Sequence, residues 1–178
     1  MRIALITIAV ILVAWIQIMY PAALAPWHLV PATALLMIFA LALYYEPHDQ
    51  VVWFALLGGI AVDLWQPSHF GTWSLACLVV ALVTRVVRTR LLLRSHWLSI
   101  LTVALLAIAA GEAIVVSREL LGLSISSIGQ TLARFYLPRI ALDMLLVVPF
   151  VTLVRSVLKT LRAAGEAKLS THAGRQSY

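Results

Sequence analysis

Six apolar stretches, each near the roughly 20 residues that a helix needs to cross a hydrocarbon core of about 30 Å, govern what this chain can fold into. They run approximately over residues 3–20, 28–45, 51–65, 72–87, 97–117 and 137–155. The third is short for a span, and 51–87 also reads as one long bent element. Gln66-Pro67-Ser68-His69-Phe70-Gly71 is a strong turn signal, which favours two helices there.

Composition says what surrounds these stretches. The chain is 63% hydrophobic and 11% charged over 178 residues, whereas a soluble domain is about 45–50% apolar and about 25% charged. A soluble domain of similar length still leaves roughly 30% of its unfolded-chain surface in water, so lipid is the solvent this composition requires. The expected architecture is an all-α membrane protein, a bundle of about six transmembrane helices over residues 1–160. A polar cytoplasmic tail over 161–178 is expected to be disordered. The formal charge of +6 does not indicate nucleic acid, because the basic residues collect beside apolar spans. The single cysteine, Cys77, lies within an apolar run and excludes a disulfide framework.

Orientation follows from the Lys and Arg positions. With the N-terminus inside, Arg2, Arg85, Arg88, Arg90, Arg94, Arg155, Lys159, Arg162, Lys168 and Arg175 fall on the cytoplasmic side, and only Arg118, Arg134 and Arg139 fall on or near the outer side. Both termini are therefore expected in the cytoplasm. Aromatic belts agree: Tyr20, Trp27, Trp65, Trp73 and Tyr136 sit at outer ends, and Tyr44, Tyr45, Trp53 and Trp97 at inner ends. Arg2, the first apolar stretch and Ala23-Leu24-Ala25 also resemble a signal peptide. The stretch is long for one, and its removal would put the termini on opposite sides.

Ionisable groups within spans are costly, about 2.5–3.5 kcal/mol at a helix centre on insertion scales, so each needs a reason. They are Asp63, Glu112, Arg139 and Asp143, with Arg118, Glu119 and Arg134 at the margin. At 1.5 Å per residue, Glu112 and Asp143 lie roughly 10 Å in from the outer ends, with Asp63 and Arg139 nearer the surface. Arg139 and Asp143 are four residues apart and share a helix face, which allows a direct ion pair. The bland reading is a polar cluster that holds helices together where no hydrophobic force acts between them. A proton relay or an outward-facing ligand pocket is the sharper one.

Gly58-Gly59-Ile60-Ala61-Val62-Asp63-Leu64 is the most distinctive string. Its glycines allow close helix approach, and Asp63 can reach a backbone group on a neighbour or cap a following turn. Ala107, Ala110, Gly111 and Ala113 suggest close packing beside Glu112. Pro138 is harmless near a helix start, whereas Pro149 lies well inside and is expected to kink the last span. The histidines are scattered, no phosphate-binding loop is present, and no nucleophile stands beside a base. The expectation is a protein that is not an enzyme and uses no metal or cofactor. Arg85, Arg88, Arg90 and Arg94 form a cytoplasmic basic loop, read as topological anchoring or as a contact for anionic lipid or a partner.

The string from Gly58 to Leu64, then Pro67, Phe70-Gly71 and a further helix ending at Arg85-Val86-Val87-Arg88, resembles the central region of the MreD family of bacterial rod shape-determining membrane proteins. Leu142-Asp143-Met144-Leu145-Leu146-Val147-Val148-Pro149 looks like the terminal helix of that family, which often carries Asn at the place of Asp143. The identifying motifs cover only about a quarter of the chain, whereas length and span count fit over nearly all of it. The resemblance implies a scaffold of the cell-elongation machinery that builds lateral cell wall. Its implied partners are MreC, RodA and its penicillin-binding transpeptidase, and the actin-like MreB. The family fold is similar to the S component of energy-coupling-factor transporters. That similarity supplies a rival expectation, a membrane subunit that binds a vitamin or similar solute from the outer side.

Overall fold

The computed structural model describes residues 2–24, 32–45, 48–65, 70–90, 97–120 and 137–173. These form six helices and no strand: α1 (Arg2–Leu24), α2 (Thr33–Tyr44), α3 (His48–Asp63), α4 (Thr72–Arg90), α5 (Trp97–Leu120) and α6 (Leu137–Ala173). Three stretches are long and apolar enough to cross a membrane: Thr72–Thr89, Ser99–Ser117 and Leu137–Thr160. By length and composition this is a helical membrane protein. Ile3–Met19 and Thr33–Tyr44 are shorter apolar helices.

The bundle is built around α2. Its twelve residues, TALLMIFALALY, have no polar face, and every residue from Ala34 to Leu43 is buried. A helix that is apolar all round suits a protein core or lipid, and here all five other helices pack against it. At 1.5 Å per residue it is only about 18 Å long, so both its ends lie among its neighbours. The expected span 28–45 is thus shorter as a helix, with Ala32 and Tyr45 flanking it and 28–31 outside the described residues. Around α2, the helices α3, α4 and α5 pack in sequence order, α1 lies against α3, and α6 lies against α2 and α5. The outer surfaces stay apolar: Ile8, Leu12, Trp15 and Ile16 on α1, Leu105 and Leu106 on α5, and Leu145 and Leu153 on α6 are exposed.

Two boundaries depart from the sequence reading. Helix α6 continues through Ala173, so the disordered tail expected from residue 161 is helical for most of its length. The segment Leu161-Arg162-Ala163-Ala164-Gly165-Glu166-Ala167-Lys168-Leu169 is rich in strong helix formers and contains no proline, so a helix already under way has nothing to stop it. Helix α4 likewise runs to Arg90, so Arg85, Arg88 and Arg90 sit on its last turns and not in a loop. Arg85 is exposed and Arg88 half-buried, while Arg94 lies outside the described residues. Pro149 is exposed and α6 is helical on both sides of it.

Candidate functional site

Two helices in this bundle begin on residues that cannot cap them. A helix start leaves unsatisfied backbone N–H groups that a Ser, Thr, Asp or Asn side chain at the N-cap usually accepts. Helix α4 starts from Gly71, whose carbonyl accepts the first helical bond from Leu75 N–H at 3.0 Å and whose φ of 90° lies in the region glycine tolerates best. Helix α2 starts from Ala32, whose carbonyl accepts from Leu36 N–H at 3.1 Å. Neither residue has a side-chain acceptor, and the first helical residues Thr72, Trp73 and Ala34 are buried.

The missing acceptors come from other helices. Asp63, the last residue of α3 and 1% exposed, accepts from Trp73 N–H and Ser74 N–H at 3.0 Å each, and from the Ser74 hydroxyl at 2.6 Å. These are the second and third residues of α4, the donors that an N-cap side chain would itself have taken. Gly59 makes this reach possible. It lies one turn before Asp63 on the same face, and a Cβ there would overlap Ser74 Cα and stand 2.6 Å from Ser74 N and 2.8 Å from Trp73 O. The two backbones therefore touch at Gly59. Gly58 faces the other way, toward Val10 Cγ1 of α1 at 2.9 Å from the position of a Cβ.

Helix α2 is held from two sides. Asp143 of α6 accepts from Ala32 N–H at 2.9 Å through Oδ1, and Gln17 of α1 accepts from Ala34 N–H at 2.9 Å. The Thr33 hydroxyl also lies 3.4 Å from Gln17 Oε1 and from Val13 O. Asp143 is fully buried and Gln17 is 3% exposed.

The third acid, Glu112, is fully buried on α5 and pairs with Arg139 of α6 at 3.2 Å. Gly111 beside it brings α5 close to α4 and α2, since a Cβ there would stand 2.7 Å from Val80 Cγ2 and 3.3 Å from Leu35 Cδ1. The Arg139 guanidinium lies 5.5 Å from the ring centroid of Trp73, within cation–π range. Trp73 also donates its backbone N–H to Asp63, so the two polar groups form one continuous cluster. The ion pair open to Arg139 and Asp143 along α6 is not the one made. Each side chain instead reaches a group on another helix, Arg139 the Glu112 carboxylate of α5 and Asp143 the Ala32 N–H at the start of α2.

No match to this chain appears among protein-family models, curated proteins or solved structures.

The structure thus brings Gly59, Asp63, Gly71, Glu112, Arg139 and Asp143 into one region where α2 and α4 begin. Gly58 and Pro149 lie apart from the polar cluster, and Pro67 is outside the described residues. Of the marginal charges, the side chains of Arg118 and Glu119 and the whole of Arg134 are outside them too. Sequence reasoning missed Gln17, Trp73 and Ser74 as members. A signal existed for Gln17, an amide inside an apolar span. Ala32 carried none, because a backbone N–H reveals nothing through residue type. Among the described residues no group of His, Cys, Asp and Glu is arranged to hold a metal ion. Every acid in the cluster is used to fasten one helix to another.

Between α1 and α6 lies an apolar groove of about 440 Å³. Its walls are α1, with Ile6, Ala9 and Val13, and α6, with Phe150 and Val154, and its floor is Met37 and Leu41 of α2.

Proposed function

We propose that this chain is a non-enzymatic membrane scaffold of the MreD type, crossing a bacterial inner membrane six times with both termini in the cytoplasm. In this reading it maintains rod shape by linking MreC to the lateral cell-wall synthases, RodA and its transpeptidase partner, with MreB on the cytoplasmic side. The observation that carries the reading is the joint made by Gly59, Asp63 and Gly71. The residues that bear the family resemblance are the ones this fold uses to lock α3 to α4, so the motif has a physical purpose here. The groove between α1 and α6 supports it further. Interfaces within membranes rest on close packing of apolar surfaces, and an apolar recess bounded by two helices suits the single span of a partner.

The deciding experiment is depletion followed by microscopy, together with affinity capture of the tagged chain from membranes. Rounded cells and recovery of MreC and the synthases are expected. Unchanged rods with lost vitamin uptake, or copurification of an energising transport module, would overturn the scaffold in favour of a solute-binding S component. A groove variant sharpens the test: Ala9→Trp is expected to reduce MreC recovery at least tenfold while the chain still accumulates in the membrane. Undiminished recovery would remove the groove as the partner's seat.

A further inference from the structure

Helices α1 and α6 both pack on α2, and each has a further neighbour, α3 for α1 and α5 for α6. The groove between them has Met37 and Leu41 of α2 as its floor, Ile6 and Ala9 on one flank, and Val154 and Leu158 on the other. Every residue lining it is apolar. An ordered water needs roughly two to four polar partners, so water has nothing to hold it there. In a membrane the groove is filled by something apolar.

Cations mark one end of it. Met37, Leu41 and Tyr44 fall within one stripe of α2, because residues three and four apart share a helix face, and the Arg155 guanidinium lies 5.8 Å over the Tyr44 ring. Arg155 thus stands where the floor of the groove ends. Lys159 follows it by one turn of α6, and both residues are exposed. The apolar span of α6 closes at Thr160, which puts the two cations within about 8 Å of that end at 1.5 Å per residue. Long basic side chains at this depth reach the headgroup layer. Toward its opposite end the groove is lined by Ile16 and Phe150.

An apolar trough that ends at two cations is complementary to an amphiphile whose acyl chain carries an anionic head. We propose that the groove seats one acyl chain of an anionic phospholipid from the leaflet at that end, with the lipid phosphate held by Arg155 and Lys159. Arginine offers the phosphate a planar fork of donors, and lysine offers a point charge. A zwitterionic lipid presents the same phosphate but brings its own amine beside the two cations, so the negative headgroup is preferred. This inference requires only that the chain lies in a membrane and is independent of the scaffold reading. A partner's span entering the groove would displace the acyl chain.

Native mass spectrometry of the full chain tests it, with the protein released from nanodiscs that hold equal amounts of phosphatidylglycerol and phosphatidylethanolamine with matched acyl chains. The wild-type chain is expected to retain one phosphatidylglycerol, favoured about tenfold over phosphatidylethanolamine. Arg155→Gln combined with Lys159→Gln, both at exposed positions, is expected to abolish the preference. Ala9→Trp fills the groove and is expected to lose retention of either lipid. Equal retention of the two lipids by the wild type, or a preference that survives the double variant, overturns the proposal. Full retention by Ala9→Trp does so too, since the head then binds without the groove. A phosphatidylglycerol carrying a photoactivatable diazirine in its acyl chain reads the seat in the wild-type chain without any variant. Cross-links are expected on the groove residues of α1 and α6 in preference to the exposed Leu105 and Leu106 of α5. Cross-links spread evenly over those faces, or kept off α1 and α6 by another polypeptide, overturn it.

Discussion

At the scale of single residues, the bundle depends on acceptors delivered to backbone donors from a distance. Asp63 is the clearest case, since it satisfies two N–H groups and a hydroxyl at the start of α4. Asp63→Ala leaves them without an acceptor and is expected to cost about 1–3 kcal/mol. Asp63→Asn, which retains one acceptor oxygen, should cost less. Thermal melting of both variants in nanodiscs checks this, and equal losses would count against the capping role. The glycines separate in the same assay. Gly59→Ala drives a methyl group into the backbone of Ser74 and should be the most damaging. Gly71→Ala meets nothing within 4 Å and should lose only the backbone term at φ 90°, about 1–2 kcal/mol. Gly58→Ala meets a valine methyl group that can shift, and falls between them.

At the scale of elements, α2 is the piece that the other helices agree upon. It carries neither an effective cap nor a polar face, so its stability is tertiary: Asp143 and Gln17 grip its start, and apolar side chains from every other helix cover its length. Gln17→Leu and Asp143→Leu should therefore be non-additive, since both loosen one helix end, with a coupling of about 0.5–3 kcal/mol in a double-mutant cycle. Simple additivity would mean that α1 and α6 act on α2 independently. The α5–α6 joint behaves differently. Arg139→Met removes the cation paired with buried Glu112 and should cost about 3–5 kcal/mol, whereas Glu112→Met combined with Arg139→Met should recover most of that loss. A double variant no better than the single would show that the pair contributes more than mutual neutralisation.

At the scale of the whole molecule, polar and apolar features separate along the bundle. The buried acids gather where α2 and α4 begin, while Arg85, Arg155 and Lys159 are exposed toward the far ends of α4 and α6, with Arg155 lying 5.8 Å over the Tyr44 ring at the end of α2. The positive-inside reading of the sequence puts that second end in the cytoplasm, an expectation that labelling can test. A cysteine introduced at position 94, in a Cys77→Ala background, should resist impermeant reagents applied outside intact cells and react once the membrane is opened. Ready labelling from outside would invert the topology and, with it, the side on which partners are sought.

Hydropathy alone determined that this chain is a set of apolar helices in lipid, because the need to bury backbone polar groups leaves a spanning segment few other forms. It also made Asp63, Glu112, Arg139 and Asp143 conspicuous, since charge inside such a segment is expensive wherever the chain goes. What each charge does was decided only by tertiary structure. Arg139 had an acid of its own helix within reach and took one from α5, and Asp143 turned to an alanine N–H that no residue-type pattern marks. Spacing along a helix defines which side chains share a face, but the lowest free energy is set by which buried donors would otherwise go unmet, and those are known only when the helices are assembled.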